Sequence, residues 1–331
     1  MTAGRDITIK SGECGRRKNM AKYVFGVDVG GTTVKMGLFT VEGELLDKWE
    51  IKTRTEDGGK NVLPDIADSI KEVIESKKLA KEDVEGVGIG VPGPVKEDGT
   101  VLKCVNLGWG ILNVEDELEK LIGYPVKAGN DANVAALGEM WQGAAKGCKD
   151  VIMVTLGTGV GGGIIVDGKV VAGFNGAGGE IGHITVNHDE IEACNCGQYG
   201  CLEQYTSATG IVRVAKRKLA KTNDETSLRN FPELTAKDVF DEAKSGDAVA
   251  LGLVDEVCGI LGSTLSNIAC VVDPEVVVIG GGVSKAGSIL IESIQKHFVE
   301  TSFLACRNTK FVPAGLGNDA GMYGCVQMLL D

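Results

Sequence analysis

The chain has 331 residues, of which 43% are hydrophobic and 24% charged, with 48 glycines against 7 prolines. This composition is typical of a globular protein rich in tight turns, long enough for two domains with a site in the cleft between them, and it excludes the disordered and fibrous classes. The net charge of -12 argues against a nucleic-acid surface, because phosphate binding normally leaves a basic footprint.

Residues 1–21 are polar and unpatterned, and Met20 stands where a native start could lie, so we treat them as an extension or tag outside the fold. No apolar run approaches the ~20 residues that span a bilayer, and the start lacks the apolar core of a secretory signal. We therefore expect a cytoplasmic protein with no membrane or nucleic-acid partner. Its ten cysteines are expected to be reduced thiols.

The chain opens with two β-prone runs, residues 23–39, around a Gly-Gly-Thr turn, and residues 44–52 supply a third strand. Helical periodicity follows over residues 61–78. Residues 86–95 predict a strand that runs into a Gly/Pro loop, and residues 124–141 predict a short strand and then a helix. This order indicates α/β layering.

The opening pattern begins again at residue 151, where an apolar run, a glycine turn and a second apolar run reach residue 171. This repetition predicts an internal duplication. Helical stretches fill much of 205–270, residues 276–298 read as strand, glycine turn and helix, and residues 315–330 read as a closing helix. We expect two similar α/β halves that face a cleft.

No segment matches the GxxxxGK[ST] phosphate-binding loop, so a phosphate would need a different binding site. Two glycine turns are candidates for it. Residues 28–35, DVGGTTVK, combine bare backbone N–H groups with a hydroxyl, a carboxylate and an ammonium group that suit phosphate or Mg²⁺. A simple hairpin turn is the alternative. Residues 157–162 spell GxGxxG, with Glu180 near the distance of a ribose-binding acid, but the β-branched run after them predicts a strand and not the helix of a dinucleotide site.

The second turn is therefore read as another hairpin phosphate turn, with a ligand-free glycine bulge as the alternative. A third glycine run, residues 280–282, follows a strand and precedes a helix. It is expected to place a helix N-terminus at the sheet edge, which suits adenosine or its phosphates. A plain connection between strand and helix is the alternative.

Phosphoryl transfer to a hydroxyl group needs a carboxylate near the attacking hydroxyl oxygen. The pair Asn130-Asp131 is our candidate for this site. Asp131 is expected to accept the hydroxyl proton and Asn130 to hydrogen-bond a sugar hydroxyl, whereas helix capping is the competing interpretation. Glu180, His183 and Glu203 add the polar groups that recognise vicinal hydroxyls.

A metal site is predicted where three thiols fall within eight residues and a histidine lies eleven positions upstream: His183, Cys194, Cys196 and Cys201. Such a Cys₃His set is typical of a closed, structural zinc site. Reduced core cysteines are the alternative interpretation. His188 competes with His183 as the ligand, and His297 is expected to be an ordinary helix-surface residue.

Five motifs in this order, DVGGTTVK, LGTGVGGG, GGEIGH, CNCGQYGCLE and VVVIGGGVS, resemble the repressor, open reading frame and kinase family of bacterial proteins, and particularly its glucokinases. The resemblance covers residues 22–331. It implies an α/β, actin-like (ribonuclease H-like) two-domain ATPase fold with an interdomain cleft. It also implies an ATP-dependent hexose kinase, with glucose converted to glucose 6-phosphate as the best choice.

The resemblance also implies roles for single residues. The ATP-binding set is Asp28, Gly30, Gly31, Thr32, Lys35, Gly157, Thr158, Gly159, Gly281 and Gly282. The sugar-binding set is Gly93, Asn106, Asn130, Asp131, Glu180, His183 and Glu203, with Asp131 as the general base. The zinc ligands are His183, Cys194, Cys196 and Cys201. One ring nitrogen of His183 would bind zinc and the other would face the sugar.

The implied organisation is a small N-terminal domain, residues 22–135, and a larger domain, residues 136–315, that contains the zinc loop 183–203. The helix at about 316–331 packs back on the first domain. ATP with Mg²⁺, structural Zn²⁺ and a hexose are the implied ligands, and a homodimer or a tetramer the implied assembly. Kinases for N-acetylmannosamine, mannose, fructose or allose remain alternatives. A sugar-responsive regulator is a more remote one, because about 21 residues before the first strand leave too little room for a DNA-reading module.

Overall fold

The computed structural model describes residues 21–331, so the predicted extension, residues 1–21, lies outside the described residues except for Ala21. The first half of the described chain contains seven strands: β1 (Tyr23–Val29), β2 (Thr33–Thr40), β3 (Leu45–Lys52), β4 (Val84–Val91), β5 (Thr100–Val101), β6 (Leu112–Asn113) and β7 (Val126–Asn130). Its helices are α1 (Val62–Lys77), α2 (Val114–Ile122) and α3 (Asp131–Gln142).

The second half adds five strands: β8 (Val151–Leu156), β9 (Val160–Val166), β10 (Lys169–Val170), β11 (Val276–Gly280) and β12 (Lys310–Pro313). Its helices are α4 (Glu203–Thr206), α5 (Ala208–Lys221), α6 (Ala236–Lys244), α7 (Ala248–Val272), α8 (Ser288–Thr301) and α9 (Ala320–Leu330). The strands predicted at the start of each half and the helices predicted at residues 61–78 and 315–330 are present.

The two large sheets have the same topology, which confirms the predicted duplication. The first sheet has the order β3-β2-β1-β4-β7 and the second the order β10-β9-β8-β11-β12. In each, three antiparallel strands form a meander, and the first strand of the meander pairs in parallel with a later strand. Each half therefore places one glycine hairpin turn at the corresponding end of its first strand.

Burial of β-branched residues holds each sheet in place. In β11 all five residues of VVVIG are buried, as expected for a parallel strand with both faces covered. One large apolar cluster packs the second sheet against α5 to α8, and another packs the first sheet against α1 and α2. Residues of α3 pack in a smaller cluster with the second sheet, and residues of α9 pack in another with the first sheet.

Helices α3 and α9 pack against each other almost backbone to backbone. A Cβ atom added at Gly324 would lie 2.5 Å from the carbonyl carbon of Val134, and one added at Gly138 would lie 3.0 Å from the backbone nitrogen of Gly324. α9 also covers β1, where Val24 shares a buried cluster with Met322 and Val326. The closing helix is thus anchored on the first sheet, although its sequence follows the second.

The predicted boundary between residues 135 and 136 lies inside α3, which continues to Gln142. The chain crosses between the halves after this helix and returns between β12 and α9. The exact boundary stays a prediction, whereas the two-domain α/β architecture is observed.

Two expectations need correction. The glycine run at residues 280–282 is followed by a 3₁₀ turn, Gly282–Ala286, and α8 begins only at Ser288, so the turn does not itself open the helix. The expectation of no long apolar segment is also wrong, because α7 has 25 residues and is long and apolar enough to cross a membrane. However, 56% of its most apolar stretch is buried inside the protein, as in the core helix of a soluble protein.

Candidate active site

A cleft of about 1010 Å³ is lined by residues from both halves of the molecule. Most of the predicted site residues meet there: Asp28, Lys35, Gly93, Asn106, Asn130, Asp131, Gly157, Gly159, Glu180, His183, Cys196, Glu203 and Gly281. The other predicted residues lie next to the cleft or behind its surface: Gly30, Gly31, Thr32, Thr158, Gly282, Cys194 and Cys201.

The two hairpin turns are held from behind in the same way. At the first turn the hydroxyl of Thr53 donates a hydrogen bond of 2.7 Å to the carbonyl oxygen of Gly30. At the second turn the hydroxyl of Thr209 donates one of 2.7 Å to the carbonyl oxygen of Thr158. Because the carbonyls are tied back, each turn is fixed, and backbone N–H groups in such turns form sites for anions.

The third glycine run lies beside the second turn. Gly281 has a φ of +82°, and a Cβ atom there would lie 2.6 Å from the backbone nitrogen of Leu156, the last residue of β8. Glycine is therefore required at this position by both conformation and space. Gly280 and Gly281 line the cleft, whereas Gly282 starts the 3₁₀ turn.

Asn130 is the N-cap of α3, and it also lines the cleft. Its Oδ1 accepts hydrogen bonds from the N–H groups of Ala132 and Asn133, at 3.0 and 3.1 Å, and its Nδ2 donates to the carbonyl oxygen of Gly93 at 3.1 Å. The capping interpretation is thus right for Asn130. Asp131 is the first residue of the helix, and it also lines the cleft.

Burial dominates the electrostatics of the two aspartates. It raises the pKa of Asp131, although the backbone N–H of Ala132 opposes the shift, and the charge of Glu180 raises it further. Burial also raises the pKa of Asp28 to about 6, against an attraction to Lys35 that lowers it, and the charges of Asp131 and Asp319 raise it again. A raised pKa makes a carboxylate a stronger base, which suits proton removal from a hydroxyl.

Lys35 is oriented by the segment that leads into α9. Its Nζ donates a hydrogen bond of 3.1 Å to the carbonyl oxygen of Asn318, and the adjacent Asp319 forms an ion pair of 2.9 Å with Lys48. Two lysines of the first sheet are thus linked to residues that follow the second sheet. The ammonium of Lys35 remains on the cleft surface, where a phosphate could reach it.

The predicted sugar-binding groups of the second half lie together around His183. Its Nε2 is 3.9 Å from Oε2 of Glu180, and its Nδ1 is 3.9 Å from Oε1 of Glu203. The two imidazole nitrogens therefore face different carboxylates. Asn106, in the first half, lines the same cleft and lies beside the first glycine turn, since a Cβ atom on Gly31 would lie 4.0 Å from the Cβ of Asn106.

The four predicted metal ligands form one group whose donor atoms lie within 4.8 Å of one another. Sγ of Cys196 is 3.6 Å from Sγ of Cys201, and Sγ of Cys194 is 3.8 Å from Nδ1 of His183. Two thiolates at Zn–S distances of ~2.3 Å and tetrahedral angles stand ~3.8 Å apart. The donor set and its spacing therefore fit a tetrahedral zinc ion, with Nδ1 of His183 as the nitrogen ligand.

The other two histidines stand apart from this group. His188 is exposed and is not a member of the four-ligand set. His297 is not the ordinary surface residue that the sequence predicts: its side chain is only 17% exposed and lies 2.9 Å from Asp255 and 3.3 Å from Glu300.

Sequence reasoning missed several residues that line the cleft, among them Lys103, Asn318 and Gly321. Gly321 lies against Asp28, since a Cβ atom there would be 2.6 Å from the carboxylate carbon. The segment GLGNDAG, which leads into the first turn of α9, contains a signal for this site, because glycines beside Asn and Asp are typical of a turn that approaches a ligand. Lys103 offers no signal beyond its charge.

With this geometry in place, comparison with known proteins identifies the family. The ROK family model matches residues 24–331. The chain belongs to the ROK family. A glucokinase from Halalkalibacterium halodurans is similar to this ROK chain, at 45% identity over 308 residues that cover 92% of this chain and 93% of that protein.

Solved structures agree with the actin-like two-domain fold. A ROK family glucokinase from Streptomyces griseus, solved in complex with glucose and AMPPNP, is 34% identical, with a TM-score of 0.72 and coverage of 92% of this chain and 98% of that one.

A xylose repressor from Caldicellulosiruptor bescii is 31% identical over 93% of this chain and 78% of its own length. ROK relatives thus include both kinases and regulators.

Proposed function

We propose that this protein is an ATP-dependent hexose kinase that converts glucose to glucose 6-phosphate. The observation that carries the proposal is the convergence on one cleft of a partly buried aspartate, two glycine turns, a lysine and a cluster of sugar-compatible polar groups. Similarity to a glucokinase over 92% of the chain supports the same activity and favours glucose.

In the proposed mechanism Asp131 is the general base. Its carboxylate accepts the proton of the sugar hydroxyl as the hydroxyl oxygen attacks the γ-phosphorus of ATP and the bond to the bridging oxygen of ADP breaks. Asp131 is fixed at the start of α3, and burial raises its pKa, so it is both positioned and basic. Phosphoryl transfer requires mainly such positioning together with charge stabilisation.

The phosphates of ATP are proposed to lie between the two hairpin turns. Backbone N–H groups of residues 31–32 and 158–159 and the ammonium of Lys35 would stabilise the negative charge there. Asp28 supplies a carboxylate oxygen of the kind that Mg²⁺ prefers, and Mg²⁺ with bound ATP neutralises charge on the phosphates. Gly281 and Gly282 are proposed to contact the adenosine.

The sugar is proposed to contact Gly93, Asn106, Asn130, Glu180, His183 and Glu203. Carboxylates accept hydrogen bonds from sugar hydroxyl groups, and a site with several of them discriminates against analogues that lack a hydroxyl. Because the side-chain amide of Asn130 already binds the carbonyl of Gly93, this residue also fixes the loop that follows β4.

A structural zinc ion is proposed at His183, Cys194, Cys196 and Cys201. The ion would use Nδ1 of His183 and leave Nε2 for Glu180 and the sugar. Zinc would then stabilise the loop that contains Glu203, which is a structural and not a chemical role. The buried carboxylate of Glu190 forms an ion pair of 2.7 Å with the partly exposed Arg217, which holds the same loop against α5.

Several coarser properties complete the proposal. The domains are proposed to comprise residues 22–135, with the helix at about 316–331, and residues 136–315. The protein is proposed to act in the cytoplasm as a homodimer or tetramer, since symmetric assemblies are the commonest oligomers. Sedimentation at several concentrations would test the assembly.

The decisive experiment is ADP release from Mg-ATP with glucose, mannose, fructose, allose, N-acetylglucosamine or N-acetylmannosamine at equal low concentration. We expect the highest kcat/KM with glucose. A preference for another hexose would retain the kinase and change only the substrate. ADP release that no sugar increases, in folded protein, would contradict the kinase.

A sugar-responsive regulator is the second candidate, supported by the similarity to a xylose repressor. Such a protein would bind a sugar, as measured by calorimetry, without forming sugar phosphate from ATP. Formation of glucose 6-phosphate by the purified protein separates the two candidates.

A further inference from the structure

The loop between β10 and Glu180 has one buried residue among exposed ones. Asn175 and Ala177 are exposed, and the ring of Phe174 is 95% exposed, whereas Gly176 between them is buried. A glycine at a loop tip has no side chain to bury. Its backbone is therefore covered by neighbouring atoms.

The covering group is the backbone of Val95, which belongs to the other half of the molecule. A Cβ atom added at Gly176 would lie 2.7 Å from the carbonyl carbon of Val95 and 2.8 Å from its nitrogen, closer than real Cβ atoms approach other atoms. Val95 is 4% exposed, packs in the core of the first sheet and pairs with Val101. The backbone of Val95 therefore cannot move aside easily.

This contact lies next to the proposed sugar site on both sides of the cleft. Gly93 and Pro94, just before Val95, line the cleft, and so do Gly179 and Glu180, shortly after Gly176. The contact thus bridges the two halves beside the groups proposed to bind sugar. A sugar that enters from this side requires the contact to open, and water is excluded from the sugar site when it closes.

We propose that the Gly176–Val95 contact closes the sugar end of the cleft, and that glycine at position 176 determines selectivity for a sugar over water as the phosphoryl acceptor. This inference rests on the proposed kinase function. When the contact cannot form, a water oxygen bonds to the γ-phosphorus, the bond to the bridging oxygen of ADP breaks, Asp131 takes the water proton, and the products are ADP and inorganic phosphate.

The test is Gly176→Ala beside a matched control, Gly168→Ala. Both glycines have left-handed φ values, +71° and +76°, so both alanines meet the same backbone strain. Gly168, in the turn between β9 and β10, has no atom within 4 Å of an added Cβ. The control therefore carries the conformational cost without the interdomain clash.

For Gly176→Ala we expect the KM for glucose to rise on the order of tenfold, which corresponds to a loss of about 1.4 kcal/mol in the free energy that favours the closed contact. We also expect the ratio of inorganic phosphate to glucose 6-phosphate to rise severalfold above wild type. Gly168→Ala should match wild type in both quantities. Equal values in the two variants would overturn the proposal.

Small-angle X-ray scattering with saturating glucose tests closure without turnover. Wild type and Gly168→Ala should show a smaller radius of gyration than Gly176→Ala. Equal radii in all three proteins would overturn the contact as a closing device. A wild-type protein that compacts with sugar but forms no sugar phosphate would instead contradict the proposed kinase and leave the closure intact.

Discussion

A buried carboxylate, that of Glu139 on α3, joins the two places where the chain crosses between the halves. Its Oε2 accepts hydrogen bonds from the N–H groups of Ala144 and Gly315, at 2.8 and 2.9 Å, and its Oε1 accepts one of 2.8 Å from Leu316. The side chain belongs to a residue that is 0% exposed. The change we consider is Glu139→Gln, which keeps the shape and removes one acceptor.

The expected cost follows from the number of acceptors. A hydrogen bond to a charged group contributes about 1.5–3 kcal/mol, and a buried N–H left unpaired costs about 1–3 kcal/mol. The single oxygen of Gln can serve Ala144 and Gly315, but its NH₂ group then points at the N–H of Leu316. We therefore expect Glu139→Gln to lower the free energy of unfolding by about 2–4 kcal/mol.

Urea denaturation followed by circular dichroism measures this loss as a shift of the midpoint at constant slope. The matched control is Glu119→Gln, since Oε1 of Glu119 accepts one backbone hydrogen bond, of 2.9 Å, from Val126, and Gln preserves that acceptor. The control should lose less than about 1 kcal/mol. If Glu139→Gln unfolds with the same free energy as the control, the carboxylate does not join the two crossings.

Three further predictions concern the site. Asp131→Ala should lower kcat by about 10²–10⁴-fold, while the Kd for ATP, measured by calorimetry, stays near the wild-type value. The reason is that the substitution removes the general base and leaves the phosphate site intact. Retained turnover would contradict the assignment. Cys196→Ser should lose zinc in metal analysis and lower the Tm, whereas Cys148→Ser, outside the cluster, should keep its zinc; zinc-free fresh wild-type protein would contradict the site. The pKa of Asp28 is raised to about 6, and the proposed contact with Mg²⁺ needs its ionised form. We therefore expect kcat/KM for ATP to fall as the pH drops through about 6. Below that pH the fall should approach tenfold per pH unit. Asp319→Asn removes a charge that raises this pKa, so its acid limb should move to lower pH, and a flat profile from pH 7 to 5 would refute the requirement.

The local structure was predictable because it depends on short periodicities. Alternating and continuous apolar runs predicted the meander strands and β11, and a 3.6-residue pattern predicted α1 and α9. The β-branched run after Gly159 excluded a dinucleotide fingerprint, and the strand that this run predicts, β9, is present. The start of α8 was misplaced because glycines after a strand do not reveal whether a 3₁₀ turn intervenes.

The sequence alone also grouped the residues of the site, because each motif brings its members together within a few positions. It predicted the four metal ligands as one set, and their donor atoms do lie within 4.8 Å of one another. It left open whether Asn130 caps a helix or faces the ligand, and the structure shows that it caps α3 and lines the cleft at once. Helix caps and cleft residues use the same residue types, so composition does not separate them.

Contacts between distant parts of the chain were decided only by the tertiary structure. Glu139 meets Gly315 and Leu316 across more than 170 positions, and Gly176 meets Val95 across the cleft. Which nitrogen of His183 faces the thiols depends in the same way on how the loop folds back. Sequence periodicity reports which face of an element is buried, whereas the docking of two halves fixes what buries it, and that docking is a property of the whole chain.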